Sequence, residues 1–338
     1  MTLTLLNPEF QVNATASSGS HPILRMIARR LGLGVITVWV VTLVVYWATM
    51  VLPGDAATAI LGQSATPERL AALTRALHLD ESPVSAYWHW VTGILSGDPG
   101  ISLVNGQEVV SLAFPRILNS AVLVIVATLL STLIGISLGV VLARRRDTVF
   151  DHATSGVTLA ASALPEFIVA IFVILLLSVK VFHWFPSVST LNPGEHIWNE
   201  PSKMMLPVLT LLIVVTPYAI RMMRAAMIEA LNTEYVELAE LKGLTSRRIL
   251  LRHAMPNALA PTIAVIGLNI LYLAGGIVLV ETVFNYPGLG QELVDSVNNR
   301  DVPVIQFLVL FLAVFYVVLN ILIDLVVLLI TPRRRVSR

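Results

Sequence analysis

Five stretches of the chain, residues 31–54, 117–143, 204–220, 253–280 and 302–323, contain no Asp, Glu, Lys or Arg, and a sixth, 152–179, contains Glu166 alone. Each is close to the roughly 20 apolar residues that cross a hydrocarbon core, so the pattern predicts six membrane helices and an all-α polytopic membrane protein. Allowing for helix starts and stops, the later spans run over about 117–143, 154–180, 204–220, 256–280 and 304–330. Six spans put both termini on one side. The polar positions between them form a polar N-terminal extension (1–22), a long loop (55–116), a cytoplasmic stretch (221–255) and a basic tail (333–338).

Composition narrows the class. With 56% hydrophobic and 13% charged residues and a mean hydropathy of +0.81, the chain departs from soluble averages of about a quarter charged. A soluble enzyme, a nucleic-acid-binding domain and an outer-membrane barrel are poor fits. The absence of cysteine excludes disulfides, thiolate metal sites and cysteine nucleophiles. Residues 1–22 lack the basic, apolar and small-residue regions of a secretory signal, so the first span is expected to persist in the mature protein. Basic residues sort by side: the N-terminal segment, the turn after span two (Arg144, Arg145, Arg146), residues 221–252 and the C-terminus hold 16 of 22. That excess places both termini in the cytoplasm.

Local signals refine each segment. Residues 23–30, with Ile23, Ile27, Arg25, Arg29 and Arg30, read either as an amphipathic helix at the membrane surface or as the basic end of span one. Leu52-Pro53-Gly54-Asp55 breaks that span. In the following loop Thr66-Pro67-Glu68 and Ser82-Pro83 are helix starts, and Tyr87, Trp88 and Trp90 are expected to pack on the first loop helix or lie at the headgroup level. Asp98-Pro99-Gly100 is a turn. Gly135 and Gly139 of span two have the spacing that lets helix backbones approach. The same use is expected of Gly275 and Gly276, and Asp324 is expected to pair with cytoplasmic arginines. Pro207 and Pro217 predict a bent or partly unwound span four. Glu166, after Pro165 and some 22 Å into a straight span three, is a functional candidate by its depth; facing a cavity and being satisfied by a neighbouring helix are equal alternatives.

Residues 221–252 are too polar for the bilayer, rich in helix formers and free of proline. They predict two short helices: one from Thr233 through Glu234, Tyr235, Val236, Glu237, Leu238, Ala239, Glu240 and Leu241, closed by a left-handed Gly243, and one from Thr245 and Ser246 carrying Arg247 and Arg248. Pro256 ends the second or starts span five.

At this point the chain resembles the integral-membrane subunit of an ATP-binding-cassette importer. That family carries Glu-Ala-Ala, a glycine four residues on, and a later proline before the penultimate span; here they are Glu237-Leu238-Ala239, Gly243 and Pro256, with Leu238, His253 and Met255 departing from the pattern. The wider match is similar to the peptide and nickel uptake branch, permease B type. It includes Leu52-Pro53-Gly54-Asp55, Gly97-Asp98-Pro99-Gly100-Ile101-Ser102, the run Glu281-Thr282-Val283-Phe284-Asn285-Tyr286-Pro287-Gly288-Leu289-Gly290, Arg300-Asp301-Val302-Pro303, and Asn320, Asp324 and Pro332. It covers about residues 23–335.

The resemblance implies a type I importer fold in the bacterial or archaeal inner membrane. The 221–255 stretch becomes the coupling element that docks on an ATPase, with Glu234, Tyr235, Glu237, Leu238, Ala239, Gly243, Arg247 and Pro256 as its residues. It also implies a second homologous permease, one or two ATPase subunits and an extracytoplasmic substrate-binding protein, with peptides the favoured substrate over nickel chelates, glutathione or saccharides. Pro165, Glu166 and Pro217 are the pathway candidates. No lysine (Lys180, Lys203, Lys242) follows a glycine, so a phosphate-binding P-loop is missing. No cofactor is expected on this chain; ATP and magnesium belong to the partner ATPases. Two alternatives from other classes are an ATP-independent transporter, for which no internal repeat is visible, and a membrane hydrolase, for which neither GxSxG nor HExxH is present.

Overall fold

The computed structural model describes residues 22–51, 82–191 and 195–330, which are mostly helical with one isolated bridge, Ile101 to Glu108, and no strand among them. The helix start at Thr66 lies outside the described residues. Five helices are long and apolar enough to cross a membrane, and a bent pair makes a sixth span.

Helix α1 (Pro22–Val51) is continuous, so the arginines at 25, 29 and 30 form the basic end of span one and not a separate surface helix. Helix α2 (Pro83–Leu95) begins where Ser82 caps it, its hydroxyl accepting from the Ser85 amide. Tyr87 is buried, and its rings meet span one: Tyr46 lies edge-on at 5.3 Å, Thr42 hydrogen-bonds Tyr87 at 2.9 Å, and Tyr46 donates to the Pro83 carbonyl at 2.8 Å. The loop aromatics thus clamp α2 to α1. After the Asp98 turn, in which the Asp98 carboxylate accepts from the Gly100 amide, α3 (Val109–Arg144) starts eight residues before its charge-free stretch.

Span three is α4 (Val149–Ser162) and α5 (Glu166–Ile174), the latter continued by a π-helical turn to Lys180. Their axes differ by 105° across the Leu164-Pro165 break, because proline cannot donate and disfavours helix at the residue before it. The 22 Å depth expected for Glu166 assumed one straight helix and is superseded by this bend.

Helix α6 (Pro201–Leu231) corrects the sequence twice. It is unbroken through Pro207 and Pro217, with 67% of its most apolar stretch buried against the rest of the chain; membrane helices tolerate proline where neighbouring helices support the backbone. It also continues three turns past its charge-free stretch, so the segment between spans shrinks to about residues 232–245. Within it lie α7 (Glu234–Leu241) and α8 (Ser246–Ile249), which passes through a π turn into α9 (Met255–Phe284). Pro256 sits in the first turn of α9, the position proline prefers. Helices α10 (Leu289–Asn299) and α11 (Val302–Ile330) complete the chain.

The core is organised around α6. Side chains of α3, α5, α6 and α9, among them Leu123, Val173, Leu211, Val215, Leu273 and Phe284, form one buried cluster, and Ala143, Met223, Met227, Leu250 and Ala254 form another nearer α7. Gly135 and Gly139 do mediate helix contact: a Cβ at Gly139 would lie 2.6 Å from Met223 Cβ and 2.9 Å from the Ile220 carbonyl. Gly275, in contrast, has nothing within 4 Å among the described residues, whereas Gly276 does allow a close approach, since a Cβ there would lie 3.2 Å from the Glu166 carboxylate of α5. Gly139→Ala is therefore expected to cost about 1–3 kcal/mol by overpacking, and Gly275→Ala to leave stability unchanged or slightly higher. Thermal midpoints of the two variants in detergent check this. Helix α1 flanks the core on α11, joined by Gln306 donating to Thr49 at 2.9 Å and by the expected ion pair of Asp324, formed with Arg30 at 2.8 Å.

Candidate translocation and coupling sites

At one end of the bundle the long-range hydrogen bonds gather on Glu281, whose side chain ends the last turns of α9 in full burial. Its carboxylate accepts from the Ser120 hydroxyl at 2.5 Å and from the Gly290 and Gln291 amides at 2.7 and 3.2 Å. Ser120 in turn accepts from the Leu289 amide at 2.7 Å. Asn285 ends α9 in the left-handed region at φ 48°. Tyr286 then donates to the Asn119 carbonyl, and Asn119 donates back to the Pro287 carbonyl, both at 2.8 Å. A Cβ at Gly288 would overlap the Glu281 carboxylate, and one at Gly290 would come within 2.6 Å of Val278 Cα. Glycine is needed at both because the backbone wraps the carboxylate. Phe284 fills the core beneath.

A second knot joins the motif at 97–102 to that at 300–303. Asp301 accepts from the Ser102 hydroxyl and, at 3.1 Å, from the Leu103 amide. Arg300 takes φ 58° to turn the chain between α10 and α11. Beside it Glu292 pairs with Arg116 at 3.3 Å; burial holds its carboxyl above the usual range while the guanidinium opposes that shift.

At the opposite end, α7 and α8 pack through a small core of Val236, Ala239 and Ile249, with Leu231 and Leu244 against it. Gly243 has φ 74° and closes α7, as its position predicts. Thr233 occupies the N-cap position, but its hydroxyl donates back to Ala230. Glu234, Glu237 and Arg247 are exposed, and so are Leu238 (56%) and Leu241 (78%). Tyr235 is fixed by accepting from Asn257 of α9 at 2.7 Å. A rigid short helix, anchored on one face, therefore presents carboxylates and two leucines on the other.

Between the two ends lies Glu166 in the first turn of α5, behind Pro165 at the N-cap. It accepts from Tyr272 of α9 at 2.6 Å. Pro217 is buried in the core face of α6, whereas Tyr218 beside it is 42% exposed and has Arg221 stacked 5.2 Å from its ring centroid. Nearer α7, Arg224 of α6 makes two charge-assisted bonds to Asp151 of α4, at 2.6 and 2.5 Å. No group of metal-ligating side chains occurs among the described residues.

Comparison with known proteins bears on this arrangement. The family model of the binding-protein-dependent transport system inner membrane component matches residues 135–336, and the N-terminal model of that transport-system membrane component matches 23–130. The dipeptide transport system permease protein DppB of Escherichia coli K12 is 33% identical, over 92% of this chain and 99% of its own. The chain belongs to this permease family. Also similar are the probable peptide ABC transporter permease protein y4tP of Sinorhizobium fredii, 32% identical over 91% of this chain and 98% of its own, and the glutathione transport system permease protein GsiC of Escherichia coli K12, 31% identical over 92% and 98%. This chain is thus a membrane-spanning transport subunit with the type I permease fold.

Of the residues singled out in this permease by its sequence, Glu281, Gly288, Gly290, Pro287 and Phe284 converge at one place, and Glu234 to Arg247 at another. Pro217 does not reach the face on which Glu166 lies. Ser120, Asp151, Arg224, Tyr218 and Tyr272 went unremarked as partners. A single hydroxyl, phenol or charge, with nothing in its own segment to name a partner, was their only signal.

Proposed function

We propose that this permease forms half of an import pathway for peptides, beside a second homologous permease, and receives its substrate from an extracytoplasmic binding protein. In this reading α7 and α8 are cytoplasmic and dock in a groove of an ATPase subunit, which binds the ATP and magnesium. The basic residues on the α7 side and at both termini support that orientation. Peptide cargo rests on the dipeptide and peptide systems of its relatives.

The observation that carries the coupling role is the exposed face of α7 itself. Leu238 and Leu241 are apolar and outward on a helix pinned by Val236, Ala239 and Ile249. A pinned helix passes a rigid-body movement to α6 and α9, whereas a loose loop would absorb it. Glu237 and Arg247 supply the polar rim, and Glu166 lines the pathway, meeting the cationic amino group of the passing peptide.

The test is to identify what co-purifies with the tagged chain from its native membrane, beside a Gly243→Pro, Glu237→Arg variant. A second permease and P-loop ATPases are expected with the wild type, and the ATPases are expected to be reduced at least tenfold with the variant. A wild-type chain that is isolated alone and moves peptide in liposomes without ATP would sink the proposal.

A further inference from the structure

Glu166, Tyr272, Tyr218 and Arg221 gather on one face, where the two tyrosines are exposed and the two charged side chains partly so. Tyr218 and Tyr272 are 42% and 45% exposed, and Leu268 between their levels is 62% exposed. Glu166 reaches Tyr272 across the α5–α9 contact, and Arg221 lies over Tyr218 on the next turn of α6. Ionised side chains inside a membrane domain face the bundle interior or a water-filled cavity, because hydrocarbon does not solvate them. Hydrocarbon is therefore a poor match for this face.

Its two charged levels are set apart by the register of α6 against α9. Asn269 donates to the Val215 carbonyl and Thr262 meets Met223, so the helices run antiparallel with these pairs opposite one another. Arg221 then stands level with about Ile263, some nine residues from Tyr272, or about 13 Å at the helical rise. An extended chain of about four residues has this length.

We infer that Glu166 with Tyr272 and Arg221 with Tyr218 are two ends of one substrate track, the carboxylate receiving the ammonium terminus and the guanidinium the carboxylate terminus of a short extended peptide. The tyrosine rings between them offer contact without sequence preference, suited to cargo whose side chains vary. The track rests on the peptide-import reading above and gives it the specificity element that Glu166 alone does not.

The absence of cysteine from the chain allows a direct test in the assembled transporter in liposomes. Tyr218→Cys and Tyr272→Cys are expected to react with a membrane-impermeant maleimide at least tenfold faster than Val35→Cys on the exposed apolar face of α1, and saturating tetra-alanine, with the binding protein present, should slow both reactions at least threefold. Labelling no faster than Val35→Cys would overturn the inference, because the face would then be covered by lipid or a neighbouring subunit. Labelling that tetra-alanine leaves unchanged would also overturn it. In uptake assays Glu166→Gln and Arg221→Gln should each raise the tetra-alanine KM about fivefold with a smaller change in kcat; equal uptake parameters to wild type would remove the charged ends. Stimulation of wild-type ATP hydrolysis by the loaded binding protein separates the two readings: without it the importer assignment fails, and with it a negative labelling result removes only the track.

Discussion

Glu281→Ala is expected to prevent this permease from accumulating in the membrane. The wild-type carboxylate is fully buried and satisfies the Ser120 hydroxyl and two backbone amides. Truncation strands all three donors in a place where water does not reach, at about 1–3 kcal/mol each, and adds a cavity. Against a margin of about 5–15 kcal/mol that is a large share. Glu281→Gln should be far milder, since its carbonyl can still accept from the two amides. Gly288→Ala should reproduce the alanine phenotype from the other side, because its new Cβ collides with the same carboxylate. Membrane abundance and thermal midpoint in detergent rank the three variants. An abundant, thermally normal Glu281→Ala permease that failed only in uptake would show that the carboxylate serves transport and not the fold.

Much of the architecture was legible because membrane spans announce themselves by length and by the absence of charge. The left-handed turn at Gly243 and the close approach at Gly139 were also legible, since each depends on local backbone chemistry, whereas the 105° break at Pro165 overturned a span read as straight. Span ends were less so. Helix α6 continues past Arg221 to Leu231, and Arg224 in that extension pairs with Asp151 on another helix, a partner that no reading of residues 204–231 alone contains. Pro217 illustrates the same limit: a proline marks a possible break, but whether the helix runs on through it depends on the neighbours that support it, here α3, α5 and α9. The motif residues were visible as residues and opaque as a network. Ser102 and Asp301 are 199 positions apart, and only the packing of α10 against the start of α3 makes them one turn.

Arg224→Ala should be the second severe variant, and the comparison with its partner carries the argument. Asp151 is wholly buried while Arg224 keeps 28% of its side-chain surface. Removing the arginine leaves a buried carboxylate with only the Asp147 amide at 3.0 Å, a loss of about 3–5 kcal/mol by analogy with other broken buried pairs. Removing the aspartate leaves a guanidinium that still reaches solvent, so Asp151→Ala should cost less. Arg224→Lys should fall between, since lysine keeps the charge but not the two-pronged geometry. The double change Asp151→Leu, Arg224→Met should recover much of the stability, as apolar replacement of buried pairs often does. The pair also has a place in coupling: it fastens α4 to α6 ten residues before α7 begins. If α6 carries the movement of α7 into the membrane, the repacked double variant should hydrolyse ATP in the complex yet transport several-fold less peptide per ATP. Equal transport per ATP in that stable variant would confine the ion pair to a structural role and leave transmission to the α7–α9 contact at Tyr235 and Asn257.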